Sequence, residues 1–439
     1  MKHDKTQPPI QAPQAIEIPL PEICTLGNGV KLYALDCSEQ DVIRFSFVFR
    51  AGTAVQHVPF SASSVANLLS EGSSQHSAQE IAEMLDYHGS YFDVSLDRDY
   101  AVINFVSLLK YFPQTLEIAR EIVLMPAFSQ EEIAVYCEKR KQRLAVERSK
   151  VSTKARELFT SSLFGTDHPY GVSYDESYYD KLTREDIVSF FKERYTAENC
   201  FVVCSGKIGG RQRDMLAALA SQLPGGGGGD GFVFPPARSV SFVFGEHEGA
   251  VQSAIRMGTL LFPRTHPDFI AMQVVSTVLG GYFGSRLVRN LREEHGYTYG
   301  AFSTMVNLEH AGYLAIATEV ATEVTQDAVT QILAEIDLMR TEPVADDELQ
   351  MVKNIMTGEV MRVLDGPFGI ADVTIENVSN STGNDYNDRW LEEVRGITPE
   401  RVLEMARKYL DPAKFTTVIV GNPSQKELFG AFLQESTKK

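Results

Sequence analysis

The sequence predicts an α+β protein made of two homologous α+β sandwich halves joined by a Gly-rich linker. Three observations predict this fold class: segments recur in the same order in both halves, five consecutive glycines lie between them, and strands and helices form separate runs. At 439 residues the chain is also too long for one ordinary domain. We therefore expect an N-terminal domain at 1–223, a linker at 224–230 and a C-terminal domain at 231–439.

The clearest recurrence pairs LTREDIVSFFKERYTAENCFVVCSG at 182–206 with ITPERVLEMARKYLDPAKFTTVIVG at 397–421. In both segments a Thr precedes a charged helix, and a β-branched strand then ends at Gly, with the same offset of 215 residues at both positions. A second pair, at 128–142 and 344–358, has an offset of 216 residues. Because the order and the offset are kept, the two halves are predicted to share one fold.

Within the first half, the sequence patterns predict alternating blocks of strands and helices. Apolar residues at period two predict strands, and apolar residues at helical spacing predict helices. The predicted strands are Val30–Ala34, Ile43–Arg50, Tyr91–Leu96 and Tyr100–Ser107, and the predicted helices are Ser63–Leu69, Ala78–His88, Tyr111–Met125 and Gln130–Lys150. Asp97-Arg98-Asp99 is typical of a turn and predicts that the last two strands are antiparallel.

Charge and composition exclude several classes of function. The net charge is −17, from 58 acidic and 41 basic residues, and no basic patch of the kind that binds nucleic acid is evident. No apolar run reaches the ~18 to 20 residues of a membrane helix, so we expect neither a nucleic-acid nor a membrane partner. The polar N-terminus and five scattered cysteines predict a cytoplasmic protein, or a periplasmic one if a leader has been removed.

One segment of the second half has a specific pattern. Residues 279–300 read LGGYFGSRLVRNLREEHGYTYG, in which Ser285–His295 is predicted as a helix, Gly296 as its end and Tyr297–Met305 as a strand. The segment resembles a signature of the insulinase-like (pitrilysin) zinc metallopeptidase family, to which the mitochondrial processing peptidase also belongs. The resemblance rests on Ser285-Arg286-Leu287, Leu291-Arg292, Gly296 and Tyr299, which lies seven residues after Arg292.

The resemblance implies a role for Arg292 and Tyr299. In the family, the corresponding Arg and Tyr bind the substrate backbone beside the scissile bond, and guanidinium and phenol groups are suitable donors for a peptide carbonyl. The residues alone leave other interpretations open. Arg292 could pair with Glu293 or Glu294, Tyr299 could be an amphipathic core residue, and Tyr297 competes with Tyr299 for the functional position.

The family's zinc motif, H-x-x-E-H on the first helix of the N-terminal half, is degenerate in this chain. Its two His bind zinc and its Glu polarises the attacking water. The corresponding positions hold Ser63 and Asn67 for the two ligands and Ala66 for the general base. None of the nine His residues forms an H-x-x-x-H pair, so no displaced motif replaces it.

Glu147 falls near the position of the family's third zinc ligand, in the predicted long helix. One carboxylate without His partners cannot hold a catalytic zinc ion, and a solvated charge on a helix is the simpler interpretation of this residue. We therefore expect no metal in this chain, and a zinc ion only in a partner subunit.

These observations lead to three hypotheses. The resemblance implies the non-zinc subunit of a heterodimeric metallopeptidase, catalytically incomplete alone, that supplies Arg292 and Tyr299 in trans to a homologous H-x-x-E-H subunit for hydrolysis of peptide substrates. The first alternative is a non-catalytic scaffold of the same fold, for which isolation of a natural complex without a zinc chain would be the evidence. The second is a homodimer that binds peptides without cleaving them.

Overall fold

The computed structural model describes residues 18–226, 234–383 and 385–429, which form two β-sheets with helices packed against both. The α+β class predicted from the sequence is therefore confirmed. The predicted domain boundaries stay predictions, since residues 227–230 of the linker and 1–17 of the polar N-terminus lie outside the described residues.

Six strands form the first sheet, and the sequence placed four of them to within two residues at each end. They are β1 (Glu22–Thr25), β2 (Lys31–Asp36), β3 (Val42–Phe49), β4 (Tyr91–Leu96), β5 (Ala101–Leu108) and β6 (Cys200–Gly206). Their spatial order is β1-β2-β6-β3-β5-β4; β2 and β6 run parallel and the other neighbours antiparallel. Phe45, Phe47 and Phe49 alternate along β3 and are fully buried in the core that this sheet forms with its own helices.

The helices of the first half begin at recognisable sequence signals. They are α1 (Ser61–Leu68), α2 (Ala78–His88), α3 (Phe112–Leu124), α4 (Gln130–Arg148), α5 (Val151–Phe164), α6 (Arg184–Arg194) and α7 (Gly210–Ala220). Capping boxes start two of them, with Ser77 and Glu80 at α2 and Thr183 and Asp186 at α6. The four helices predicted from periodicity are confirmed, with ends that differ by at most two residues.

The second half repeats this arrangement around a five-stranded sheet. Its strands are β7 (Phe242–Glu246), β8 (Gln252–Leu261), β9 (Ala301–Asn307), β10 (Gly312–Ala321) and β11 (Thr416–Gly421), in the order β7-β11-β8-β10-β9. Its helices are α8 (Phe269–Ser276), α9 (Arg286–Val288), α10 (Thr325–Thr341), α11 (Asp346–Val363), α12 (Pro367–Ser379), α13 (Tyr386–Gly396) and α14 (Pro399–Tyr409). The paired segments at 182–206 and 397–421 both form a helix followed by an inner strand of the sheet. These elements are α6 and β6 in the first half and α14 and β11 in the second.

The two halves exchange a helix, so each sheet is covered on its second face by the other half. α5 packs on β8 and β11 of the second sheet, where Phe159 and Leu163 join a core with Val418 and Val420. Conversely, α12 packs on β6 and β3 of the first sheet and buries Ile370. α5 starts at residue 151 and α12 at residue 367, an offset of 216 that matches the sequence repeat.

Polar contacts add to this junction between the halves. The Tyr100 hydroxyl donates to the carbonyl of Ser379 (3.0 Å), and Arg44 forms an ion pair with Asp372 (2.6 Å). Arg50 forms a further ion pair with Glu309 (3.1 Å). Among the described residues, no helix combines the length and the apolar character needed to cross a membrane.

Candidate functional site

The signature segment 279–300 connects α8 to β9 and is tightly anchored to the second core. The segment starts within a π-helical turn at Thr277–Gly281, and α9 continues into a second π-helical turn at Arg289–Glu294. The predicted helix Ser285–His295 is thus confirmed in extent, although most of it is π-helix. Leu287 and Leu291 are fully buried, which fixes this segment against the core. Single π-turns are uncommon and occur frequently at functional sites.

Arg286 has a structural role that the sequence pattern did not indicate. Its guanidinium donates to both carboxylate oxygens of Glu348 on α11, at 3.0 and 2.8 Å. Both side chains are largely buried, so this bidentate ion pair fixes the segment to α11. The Ser-Arg-Leu part of the signature therefore positions the chain that follows it.

Arg292 lies in the second π-turn and presents its guanidinium to an aromatic ring. The guanidinium carbon lies 4.6 Å from the centre of the exposed Phe283 ring. Within the described residues, the Arg292 side chain has neither a hydrogen bond nor an ion pair, so it does not pair with Glu293 or Glu294. Stacking on the ring orients the fork of donors and leaves its N–H groups available to a ligand.

Tyr299 is among the most exposed side chains of the described residues, with 93% of its surface accessible. The strand predicted at Tyr297–Met305 was wrong at its start, since β9 begins at Ala301. The physical reason is a turn: the Thr298 hydroxyl accepts from the N–H of Gly300 and also bonds the Thr318 hydroxyl of β10 (3.0 Å). Tyr299 therefore points outward and is not a core residue.

Tyr297 and Tyr299 have different environments, which separates the two competitors. Gly296 ends the helical segment at φ +68°, and the N–H of Tyr297 then bonds the carbonyl of Leu291 (2.8 Å). Tyr297 packs against the second core, beside the His295 ring. Of the two tyrosines, Tyr299 is thus the one free to contact a ligand.

Tyr299 lines a cleft of about 290 Å³ between α5 and the second sheet. Arg256, Phe302 and Glu319 line the same cleft, and the Arg256 guanidinium lies 5.7 Å from the Phe302 ring centre. Phe283, Tyr299 and Phe302 are all exposed, and we call these three residues the aromatic surface. No hydrogen bond joins Arg292 to Tyr299 among the described residues, so their joint action on one ligand stays a prediction.

The positions of the degenerate zinc motif lie on α1 and are occupied by local contacts. The Ser63 hydroxyl donates to the carbonyl of Phe60 (3.1 Å), and the Asn67 amide donates to the carbonyl of Ser63 (2.7 Å). Ala66 is buried and has no group that could act as a base. Tyr136 of α4 lies beside Ser63. Burial raises the pKa of its phenol, so the side chain of α4 next to the Ser63 position is uncharged. Sequence reasoning missed Tyr136.

Glu147 is engaged in an exposed pair near the end of α4. Its carboxylate accepts from Arg143 (2.8 Å), one helical turn earlier, and this hydrogen bond lowers the pKa of Glu147. The interpretation as a solvated helix charge agrees with this geometry. Elsewhere in the first half, His76 contacts Glu121 at 2.9 Å, and that hydrogen bond raises the pKa of His76.

Comparison with protein families connects both parts of the chain to one group of proteins. Residues 62–168 match the model described as insulinase (peptidase family M16), and residues 181–356 match the model described as the peptidase M16 inactive domain. The chain belongs to the insulinase-like peptidase family. Within this family it lacks the H-x-x-E-H motif, as the residues at 63, 66 and 67 establish.

Known proteins resemble this family member over most of its length. An uncharacterized zinc protease of Mycobacterium bovis is 21% identical over 371 residues, which are 82% of this chain and 84% of that protein. A peptidase M16 inactive domain from Pseudomonas fluorescens superposes with a TM-score of 0.85 at 20% identity, covering 92% of this chain and 98% of the other. A protease from Helicobacter pylori gives a TM-score of 0.83 at 15% identity, with coverages of 92% and 100%.

Zinc, which the family implies, does not fit the residues at the corresponding positions of this member. In the described part of the chain, no three His, Cys, Asp or Glu side chains form a group that could hold a metal ion. Ser63 instead opens into a cavity that Arg98 and Arg156 also line, and these cations would repel a divalent metal. The positions of the family's zinc motif therefore hold no group that could activate a metal-bound water.

Proposed function

We propose that this chain is the non-zinc subunit of a heterodimeric insulinase-like metallopeptidase and supplies Arg292 and Tyr299 in trans to a zinc-bearing partner. One observation carries the proposal. Both residues of the family's substrate-binding pair are present, and within the described residues neither side chain has a hydrogen bond or an ion pair, while the metal-binding positions hold Ser63 and Asn67.

The geometry gives each of these residues a chemical task. Arg292 offers parallel N–H donors that the Phe283 ring holds in place, and Tyr299 offers one phenolic donor. Donors of this kind stabilise negative charge that develops on a scissile carbonyl oxygen. The phenol of Tyr299 needs no side-chain rearrangement to reach a ligand, because it is almost fully exposed.

The exposed site favours a two-subunit arrangement over a self-contained one. Exposed aromatic residues mark contact surfaces, and on the aromatic surface Phe283 contacts Arg292 while Phe302 lines the same cleft as Tyr299. In this arrangement the partner carries H-x-x-E-H and zinc, and the peptide adds a strand to a sheet edge of that subunit. The proposed compartment is the cytoplasm, or the periplasm if a leader has been removed.

Purification of the natural complex through a tag on this chain tests the pairing. We expect a chain of similar length with an H-x-x-E-H motif to co-purify in equal amount, together with about one zinc ion per heterodimer. A matched bait in which Phe283 and Phe302 are changed to Ser should recover less of that chain while its own thermal unfolding is unchanged. Recovery of a stable assembly without any H-x-x-E-H chain would contradict the proposal and favour the scaffold.

A further inference from the structure

A second cavity, of about 430 Å³, lies between the two halves and is not used by the proposed function. Ser63, Arg98 and Arg156 line it from the first half, and Leu308 and Tyr313 line it from the second. It is therefore formed only when the halves are packed together. Two arginines line this cavity, although the chain as a whole has a net charge of −17.

Arg98 is held at this cavity by the tight turn between β4 and β5. Gly52 lies against the turn, where a Cβ atom would collide with the backbone of Arg98, and the N–H of Ala54 bonds the Arg98 carbonyl (2.7 Å). The side chain of Arg98 is half-buried and has no ion pair within the described residues. Burial lowers the pKa of Arg98, and the positive charge of Arg156 lowers it further, so the two guanidinium groups repel each other.

Arg156 comes to the cavity from α5, the helix that crosses to the second sheet. It too has no ion pair among the described residues. Burial raises the pKa of the Tyr313 phenol, while the positive charges of Arg98, Arg256 and Arg156 lower it, so all three guanidinium groups act on this side of the second sheet. Arg256 lines the adjoining cleft that contains Tyr299.

The carboxylates around the cavity are engaged elsewhere. Glu157 forms an ion pair with Arg148 (2.9 Å), which lies outside the cavity lining. Asp99 accepts from the Tyr170 hydroxyl (2.5 Å) and from the N–H of Glu309 (2.9 Å). Glu309 in turn forms an ion pair with Arg50. Within the described residues, Arg98 and Arg156 therefore have no direct ion pair, and the carboxylates of Asp99 and Glu147 act on them only at longer range.

We propose that this cavity binds a carboxylate of a peptide ligand between Arg98 and Arg156. The carboxylate is an acidic side chain or the peptide C-terminus, and both present the planar pair of oxygens that guanidinium groups bind best. The inference rests on the proposed function, in that the chain holds peptides. It adds an expected preference for acidic peptides, because the two guanidinium groups attract a carboxylate although the chain as a whole is acidic.

Titration of the intact chain with labelled peptides tests this site without any partner. The probes are short Ala-based peptides with two central Glu residues or two central Gln residues, each with a free or an amidated C-terminus, followed by fluorescence anisotropy at low salt. We expect the peptide with the preferred carboxylate to bind about 10-fold or more tightly than the matched peptide in which that carboxylate is an amide. This factor corresponds to the loss of one charge-assisted hydrogen bond. If the Glu peptides bind more tightly than the Gln peptides, the cavity binds a side-chain carboxylate. If the peptides with a free C-terminus bind more tightly than the amidated ones, the cavity binds the terminal carboxylate.

Two variants and a control complete the test. Arg98→Gln and Arg156→Gln should each abolish the preference, and the exposed Arg156 keeps the test valid if the half-buried Arg98 variant fails to fold. Arg211→Gln, at an exposed position on α7, should retain the preference. Equal binding of all four peptides, or binding of none at millimolar concentration, would overturn the proposal.

The outcome also separates this inference from the proposed function. If Arg292 and Tyr299 variants keep full turnover in the complex while the carboxylate preference remains, the proposed function fails and the anion site stands. If turnover falls in the Arg292 and Tyr299 variants but the isolated chain shows no preference for carboxylate peptides, the anion site is rejected and the proposed function stands.

Discussion

Replacing Arg292 by Ala is expected to lower the turnover of the purified heterodimer by about 10²-fold while its zinc content stays unchanged. The reason is that a donor aimed at developing charge contributes most in the transition state, and loss of one such donor costs about this factor. Tyr299→Phe removes a single hydroxyl from a side chain that makes no packing contact in the core, so its effect on turnover reports on that hydroxyl alone. Steady-state hydrolysis of a peptide library, with zinc measured on the same samples, is the appropriate assay.

A matched control lies three residues away on the same π-turn. The Arg289 side chain is half exposed, and its contact with Glu348 is long, at 3.7 Å, because the Glu348 carboxylate already accepts hydrogen bonds from Arg286. Arg289→Ala should therefore leave turnover within about 2-fold. Tyr87→Phe, at an exposed position on α2, serves as the control for the phenol. Unchanged turnover in both the Arg292 and Tyr299 variants would contradict the proposed role.

The largest expected loss of stability follows from Phe159→Ala. Phe159 is 2% exposed on α5, its ring meets the Tyr313 ring edge-on at 6.2 Å, and it lies against the backbone of Gly258. Deleting the ring leaves a cavity where α5 crosses to the second sheet, so the free energy of unfolding should fall by about 3–5 kcal/mol. Equilibrium urea unfolding, followed by far-UV circular dichroism, measures the change.

Tyr87→Ala is the control for this loss, because Tyr87 is 82% exposed and its removal opens no cavity. It should change the free energy of unfolding by no more than about 0.5 kcal/mol. If Phe159→Ala cost less than about 1 kcal/mol, packing of α5 on the second sheet would not be an important contact between the halves.

Most of the elements could be predicted from the sequence, because their signals are local. The capping residues Ser77 and Thr183, the periodic apolar residues and the Asp97–Asp99 turn act within a few residues of the structure that they specify. The repeat at a constant offset indicated two similar halves for the same reason, since each copy has its own local signals.

The contacts between distant parts of the chain could not be predicted in this way. Nothing local indicates that α5 packs on the second sheet, since an apolar helical face does not specify which sheet covers it. Arg286 and Glu348 are 62 residues apart, and the turn that exposes Tyr299 depends on Thr318 of the neighbouring strand. The cavity of Arg98 and Arg156 likewise exists only after the halves have packed.

The most direct test of the central claim, that this chain binds peptide and does not activate zinc-bound water, compares hydrolysis by three samples. These are this chain alone, the H-x-x-E-H chain alone, and their mixture, each supplied with zinc and measured for bound metal. We predict peptide hydrolysis only in the mixture, with the zinc on the H-x-x-E-H chain. Chelator-sensitive hydrolysis by this chain alone, with stoichiometric bound zinc, would contradict the account.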